Sequence, residues 1–241
     1  MATILRTTIR SVVILVLLCG NSPASRAQQT VFNVPTTDVL EFRKVYFELD
    51  ISAKPNNSEA LPRFSAFAPR LVAGVGGRIE IGLNVLGNIQ PGPDTTTLVP
   101  AIKWRIYEGK NNGWAVAVGN NLFIPIRHKS YNVGTFSYVI VQTTLKTNTR
   151  LGFGGYLFSK HVVTPNASRA GGQFTFERTI TKNLNLNVDW ITGKHANGYF
   201  TSGFAYKLTR KLTGVAAYSL GNADTSKGNH FTYFEVGYNF N

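Results

Sequence analysis

The stretch Leu184-Asn185-Leu186-Asn187-Val188-Asp189-Trp190 decides the fold. Every second residue is apolar, and each residue between is Asn or Asp. In an extended chain, successive side chains point to opposite faces, so this pattern makes one apolar face and one polar face. A helix would scatter both sets around its axis. The same alternation recurs along the chain. Val45, Phe47, Leu49 and Ile51 oppose Lys44, Tyr46, Glu48 and Asp50. Ile79, Ile81, Leu83 and Val85 oppose Arg78, Glu80 and Asn84. Ile102, Trp104 and Ile106 oppose Lys103 and Arg105, and Phe234, Val236, Tyr238 and Phe240 oppose Tyr233, Glu235 and Asn239.

Working outward, the pattern predicts about twelve strands, over 43–54, 66–75, 78–88, 97–108, 113–123, 132–144, 149–159, 169–179, 184–192, 199–208, 212–220 and 230–240. Their connections alternate in length. Short ones such as Gly76-Gly77, 145–148, 180–183 and 209–211 alternate with longer ones, such as 55–65 and 221–229, rich in Pro, Gly and Asn. Strands of about ten residues, an even count and one side of short turns predict an all-β fold: a closed, up-and-down antiparallel transmembrane barrel. Only a closed sheet pairs every backbone group within hydrocarbon. The short turns and both termini then face the periplasm.

The beginning of the chain reads as an address. Arg6 and Arg10 precede the apolar run Val12 to Leu18, and Ser25-Arg26-Ala27 resembles a cleavage site. The expected organisation is a signal peptide over 1–27, a periplasmic N-terminal segment over 28–42 and an outer-membrane barrel over 43–241. The single Cys and single Met fall within 1–27. Beyond that segment there is no thiol for a disulfide, a zinc site or a nucleophile.

The chain has 25 Lys+Arg against 12 Asp+Glu, a net charge of +13, yet only 15% of its residues are charged. Removing 1–27 takes three Arg and no acid with it, leaving +10. A nucleic-acid partner is not expected, because the basic residues form no patch on a helix and the chain is exported. Charge at the midplane of a lipid face costs roughly 2–4 kcal/mol, so the charged rows should face inward. The predicted lumen-lining set is Glu48, Asp50, Arg70, Glu80, Lys103, Arg105, Glu177, Asp189, Lys207, Tyr233 and Glu235, with the two signs nearly balanced. The excess positive charge then belongs to turns and loops, including Lys110, Lys182, Arg210 and Lys211 on the periplasmic side. Trp104, Trp114, Tyr156, Phe158, Trp190, Phe200, Tyr206, Tyr218, Tyr238 and Phe240 are the expected aromatic girdles.

No catalytic residue, metal ligand or cofactor is expected. The four histidines fall at outer loops, and neighbours such as Ser159 and His161 do not make a nucleophile–base geometry by adjacency alone. A weak repeat of 28 residues matches Phe176, Thr181, Leu184, Trp190 and Gly193 to Phe204, Thr209, Leu212, Tyr218 and Gly221. It carries no function by itself.

Thr181-Lys-Asn-Leu184, Trp190-Ile-Thr-Gly193, Phe204-Ala-Tyr206, Leu208-Thr-Arg-Lys-Leu212, Tyr218-Ser-Leu-Gly-Asn222 and Gly237-Tyr-Asn-Phe240 give the C-terminal 65 residues a further resemblance. This part of the chain resembles the outer-membrane transporters grouped with the MetA-type phenol-degradation proteins. The resemblance implies a channel for small solutes, hydrophobic or aromatic ones included, and assigns no substrate-contacting residue. The expected partners are outer-membrane lipid, lipopolysaccharide at the outer loops, a small-molecule solute and the outer-membrane assembly machinery. A structural or adhesive barrel and a barrel-type lipid hydrolase are the alternatives.

Overall fold

The computed structural model describes residues 30–57, 63–90, 96–110, 113–127, 132–145, 148–222 and 230–240, with the backbone alone for 88–90. The address segment 1–27 lies outside the described residues. Twelve strands are present: β1 (Val45–Lys54), β2 (Phe64–Gly76), β3 (Ile79–Gln90), β4 (Thr96–Glu108), β5 (Ala115–Arg127), β6 (Gly134–Leu145), β7 (Thr149–Phe158), β8 (Ala170–Thr179), β9 (Leu184–Ile191), β10 (Tyr199–Lys207), β11 (Leu212–Gly221) and β12 (Phe231–Asn239). Each pairs antiparallel with its neighbours in sequence, and β12 closes onto β1 to complete the barrel. Closure leaves no edge strand with unpaired amides, which is what lets a sheet sit in lipid.

Register follows the alternation read in the sequence. Glu80 stands beside Lys103, Ile81 beside Ile102, Asp189 beside Thr175 and Trp190 beside Phe174. The outward rows are apolar and exposed, among them Leu83, Trp104, Phe153, Phe174, Phe204 and Phe234. The outer wall therefore meets lipid, and the chain is an outer-membrane β-barrel.

Two details of the wall depart from the sequence reading. The β2–β3 turn comprises Gly77 (φ 61°) and Arg78 (φ 62°), one residue later than expected. A two-residue hairpin of type I′ needs positive φ at both central positions. Arg78 thus leaves the inward row and becomes an exposed turn residue. Tyr156 and Phe158, expected in a girdle, point inward and are buried. On β7 the lipid row is Leu151, Phe153 and Leu157, so residues 156 and 158 fall on the row of Arg150.

The largest departure is the N-terminal segment. The sequence reading places 28–42 on the periplasmic side, whereas Thr30 to Leu40 run inside the barrel. Val31, Phe32, Val34, Thr36 and Thr37 are buried, and the chain reverses through a Thr30–Pro35 bridge. It enters over β2 at Gly74, whose carbonyl accepts from the Arg43 amide and whose amide donates to the Lys44 carbonyl. A Cβ on Gly74 would lie 2.0 Å from the Glu41 carbonyl oxygen. No side chain other than hydrogen fits at that crossing. The segment forms no barrel strand, so the period-2 pattern carried no sign of it.

Two apolar clusters fill much of the interior around this segment. Val34 packs with Phe136, Tyr138, Ile140, Tyr156, Phe158 and Ile191 on the β5–β9 side. Val31 and Phe32 pack with Ala205, Val215, Phe231 and Tyr233 on the β10–β12 side. Burial inside the barrel removes the apolar residues of the segment from water, at roughly 25 cal/mol per Å².

Candidate functional site

The wall of the lumen is built by the inward rows, and its polar groups are engaged with the inserted segment. Asp189 on β9 is the deepest anchor. Its Oδ2 accepts three consecutive backbone N–H groups, from Phe32 (3.0 Å), Asn33 (2.6 Å) and Val34 (2.8 Å). A turn of chain with three converging amides is an anion cradle, and here the anion is a wall carboxylate. Gln142 on β6 accepts from the Thr37 amide (2.6 Å) and hydroxyl (2.9 Å). Its own amide donates to Thr175 at 3.1 Å. Glu80 on β3 accepts from the Leu40 amide at 2.9 Å while holding Lys103 at 2.8 Å. Arg150 on β7 joins Asp38 of the segment to Glu177 of β8, donating to Glu177 through Nε (2.7 Å) and Nη2 (2.9 Å).

A second polar group lies where β12 closes onto β1. Glu48, Asp50 and Glu235 bring three buried carboxylates within 4.8 Å of one another. Arg70 pairs with Glu48 at 2.8 Å and approaches Asp50 at 3.8 Å. Tyr233 donates to Asp50 at 2.7 Å. Arg70 also reaches the segment, donating to the Thr30 hydroxyl at 3.1 Å. Between segment and wall, a cavity of about 90 Å³ is lined by Thr30, Asn33, Arg70, Asn84, Lys103 and Tyr138 among others. That volume holds a few water molecules.

The residues singled out from the sequence are thus distributed as follows. Glu48, Asp50, Arg70, Tyr233 and Glu235 come together at the β1–β12 closure. Glu80 pairs with Lys103, Glu177 with Arg150, and Asp189 with the segment. Arg105 sits nearer the short-turn rim, paired with Glu108 at 3.1 Å, and joins none of these groups. Lys207 ends β10 at the same rim, its amide donating to the Asn183 carbonyl at 2.9 Å. Charge is unevenly spread along the inner wall, since Arg70 faces three carboxylates at the closure.

Sequence reasoning missed Arg150 and Gln142, two further side-chain anchors of the segment. Arg150 follows a turn and has a glycine two residues on, so its strand carries too few inward side chains for the alternation to be read. Gln142 sits among Val141, Thr143 and Thr144, where polarity alone does not mark it. At the outer end, the His195 ring is buried against Tyr156 and Phe158. Tyr156 Oη lies 2.7 Å from its Nε2, and its Nδ1 accepts from the Asn197 amide at 3.2 Å. Burial holds this histidine below its ordinary pKa. The Ser159 hydroxyl accepts from the Thr135 amide at 2.9 Å.

No family profile matches the chain, and no curated protein matches it. Solved structures do. An outer membrane channel from Pseudomonas putida F1 is similar at 11% identity, over 92% of this chain and 100% of that one, with a TM-score of 0.46. The outer membrane phospholipase dimer of Salmonella typhi with bound calcium is similar at 13% identity, over 83% of this chain and 91% of that one, with a TM-score of 0.50. An active-site variant of outer membrane phospholipase A from Escherichia coli reaches 0.51 at 12% identity, over 95% of this chain and 96% of that one. At such identities the likeness is one of fold, and the fold that this chain shares with the two phospholipase structures is that of an outer-membrane β-barrel.

Proposed function

We propose that this barrel is an outer-membrane channel for small solutes, occluded at mid-height by its own N-terminal segment. The observation that carries this reading is the way the lumen is filled. Asp189, Gln142, Glu80 and Arg150 spend their hydrogen bonds on the segment, most of them on its backbone amides. If the segment leaves, these groups face water rather than hydrocarbon, and a hydrophilic row runs along the wall. Side chains alone fill an eight-stranded barrel, and the diameter grows with strand number, so a twelve-stranded lumen is wide enough to hold a segment of chain.

The solute class follows from the two kinds of wall. The polar row suits water and small hydrophilic molecules. The aromatic cluster of Phe136, Tyr138, Tyr156 and Phe158 offers a surface to hydrophobic or aromatic ones. Lining by the eleven sequence-assigned residues is part of this proposal, with Arg70, Glu80, Lys103, Asp189 and Tyr233 touching the segment or its cavity. The test is conductance across a planar bilayer. The purified barrel should pass little current, and a variant lacking residues 30–40 should pass several-fold more. Equal current from both proteins would sink the reading.

A further inference from the structure

The repeat of 28 residues becomes informative once its two copies are compared as structures. Each copy places a short turn at the same rim, Ile180-Thr181-Lys182-Asn183 between β8 and β9, and Leu208-Thr209-Arg210-Lys211 between β10 and β11. Their hydrogen bonds are the same. The Ile180 and Thr181 amides donate to the Leu184 carbonyl at 2.9 and 3.1 Å, and the Leu208 and Thr209 amides donate to the Leu212 carbonyl at the same distances. Thr181 Oγ1 accepts from the Asn183 and Leu184 amides. Thr209 Oγ1 accepts from the Lys211 and Leu212 amides. A threonine hydroxyl thus clamps each turn in one shape.

The two turns are also neighbours in space, joined by the Lys207 amide donating to the Asn183 carbonyl at 2.9 Å. Lys211 Nζ reaches the Phe240 carbonyl at 3.2 Å, bringing the end of β12 alongside. The surface so formed is two-tiered. Ile180, Leu208 and Phe240 are exposed apolar side chains. Arg178, Lys182, Arg210 and Lys211 are exposed cations directly beside them, and the described residues 178–184 and 207–212 contain no acid. Arg178 continues the outward row of Phe174 and Phe176 on β8, so its guanidinium stands at the foot of the lipid face.

We infer that this paired turn is a docking surface for an anionic glycerophospholipid of the periplasmic leaflet, whose phosphate meets Lys182, Arg210 and Lys211 while its acyl chains lie along Ile180, Leu208 and Phe240. Short turns, the start of β1 and the end of β12 mark this end as periplasmic. Long basic side chains beside an apolar belt bury their stems and place their charge at headgroup level. The surface therefore matches a phosphate in charge and acyl chains in polarity at a fixed depth.

The experiment uses the full barrel in detergent micelles doped with equal phosphatidylglycerol and phosphatidylcholine, with co-purifying lipid quantified. The native protein should retain phosphatidylglycerol in several-fold excess. The triple variant K182Q/R210Q/K211Q should fall to near-equal retention of the two lipids, since each cation near an anionic surface is worth about fivefold. K160Q, at the opposite end, should keep it. Heat-modifiable migration on a gel reports that each variant is folded. A photoactivatable phosphatidylglycerol on the native protein gives a second readout that needs no variant, with adducts expected on the peptides spanning 178–184 and 207–212. No preference in the native protein, preference surviving in the triple variant, loss in K160Q as well, or adducts elsewhere would each overturn the inference. So would displacement of the lipid by millimolar glycerol phosphate, which would make the surface a phosphate site rather than a lipid one.

Discussion

Asp189 concentrates the chemistry of the lumen in one side chain. It is 1% exposed, and one carboxylate oxygen satisfies three amides that would otherwise be orphaned in a buried turn. Asp189→Ala leaves those amides without a partner, at a cost of about 3 kcal/mol to the docking of the segment. The expected outcome is faster amide exchange at Phe32, Asn33 and Val34, with the barrel strands still protected. Arg150→Leu should act more severely at the rim, because Asp38 and Glu177 both lose their cation. Removing one partner of a buried ion pair costs roughly 3–5 kcal/mol. Susceptibility of the segment to an added protease measures the release. His195 makes a pH prediction at the outer end. Its pKa is depressed by burial, so the closed loop is favoured by the neutral ring. That stabilisation is complete above the ordinary histidine value and is lost as pH falls below it. Protonation also removes the Nδ1 acceptor from the Asn197 amide. Exchange at Asn197, corrected for its intrinsic rate, should quicken at pH 5 relative to pH 8, and His195→Gln should flatten the difference.

At the scale of elements, the decisive one is the segment that is not a strand. Its crossing at Gly74 is sterically closed to any side chain, whereas β2 pairs antiparallel with β1 up to Ala73 and with β3 on both sides of a register shift at Gly74/Gly76. Gly74→Val should therefore expel the segment without unfolding the barrel. Bilayer current rising toward that of the 30–40 deletion would be the signature. An unchanged current would mean that the crossing can shift to accommodate the side chain. The strands were legible because each carries its own alternation. β9, with Leu184, Leu186, Val188 and Trp190 outward and Asn187 and Asp189 inward, can be read without its neighbours. β7 could not be read so fully. Gly152, Gly154 and Gly155 interrupt its pattern, and Tyr156 and Phe158 have the composition of a girdle while lying on the inward row.

For the whole molecule, barrel closure and lumen filling are separable. All twelve strands pair with one another, and the segment adds hydrogen bonds and apolar contacts but no strand. The barrel lacking residues 30–40 should still insert and migrate as a heat-modifiable band, with a lower unfolding temperature from the loss of its internal apolar contacts. Failure of that variant to form a barrel would assign the segment to assembly rather than occlusion. The charge of the chain also resolves at this scale. Carboxylates gather inside, at the β1–β12 closure and along the segment, while exposed cations gather at the rims, where water and headgroups solvate them.

What the sequence determined by itself was the barrel: its twelve strands, and which side of most of them meets lipid. Those properties are local, because side-chain alternation and turn chemistry are written within ten residues of one another. What only the tertiary structure decided was the content of the lumen. The contacts from Phe32 to Asp189, Thr37 to Gln142, Leu40 to Glu80 and Asp38 to Arg150 span 40 to 157 residues of chain. Three of them join backbone amides, which every residue type carries, to wall side chains that would look equally at home facing water, and the fourth is an ion pair. No pattern along the chain distinguishes an inward carboxylate that lines a pore from one that holds a segment in place. Closure of the barrel around that segment makes the difference.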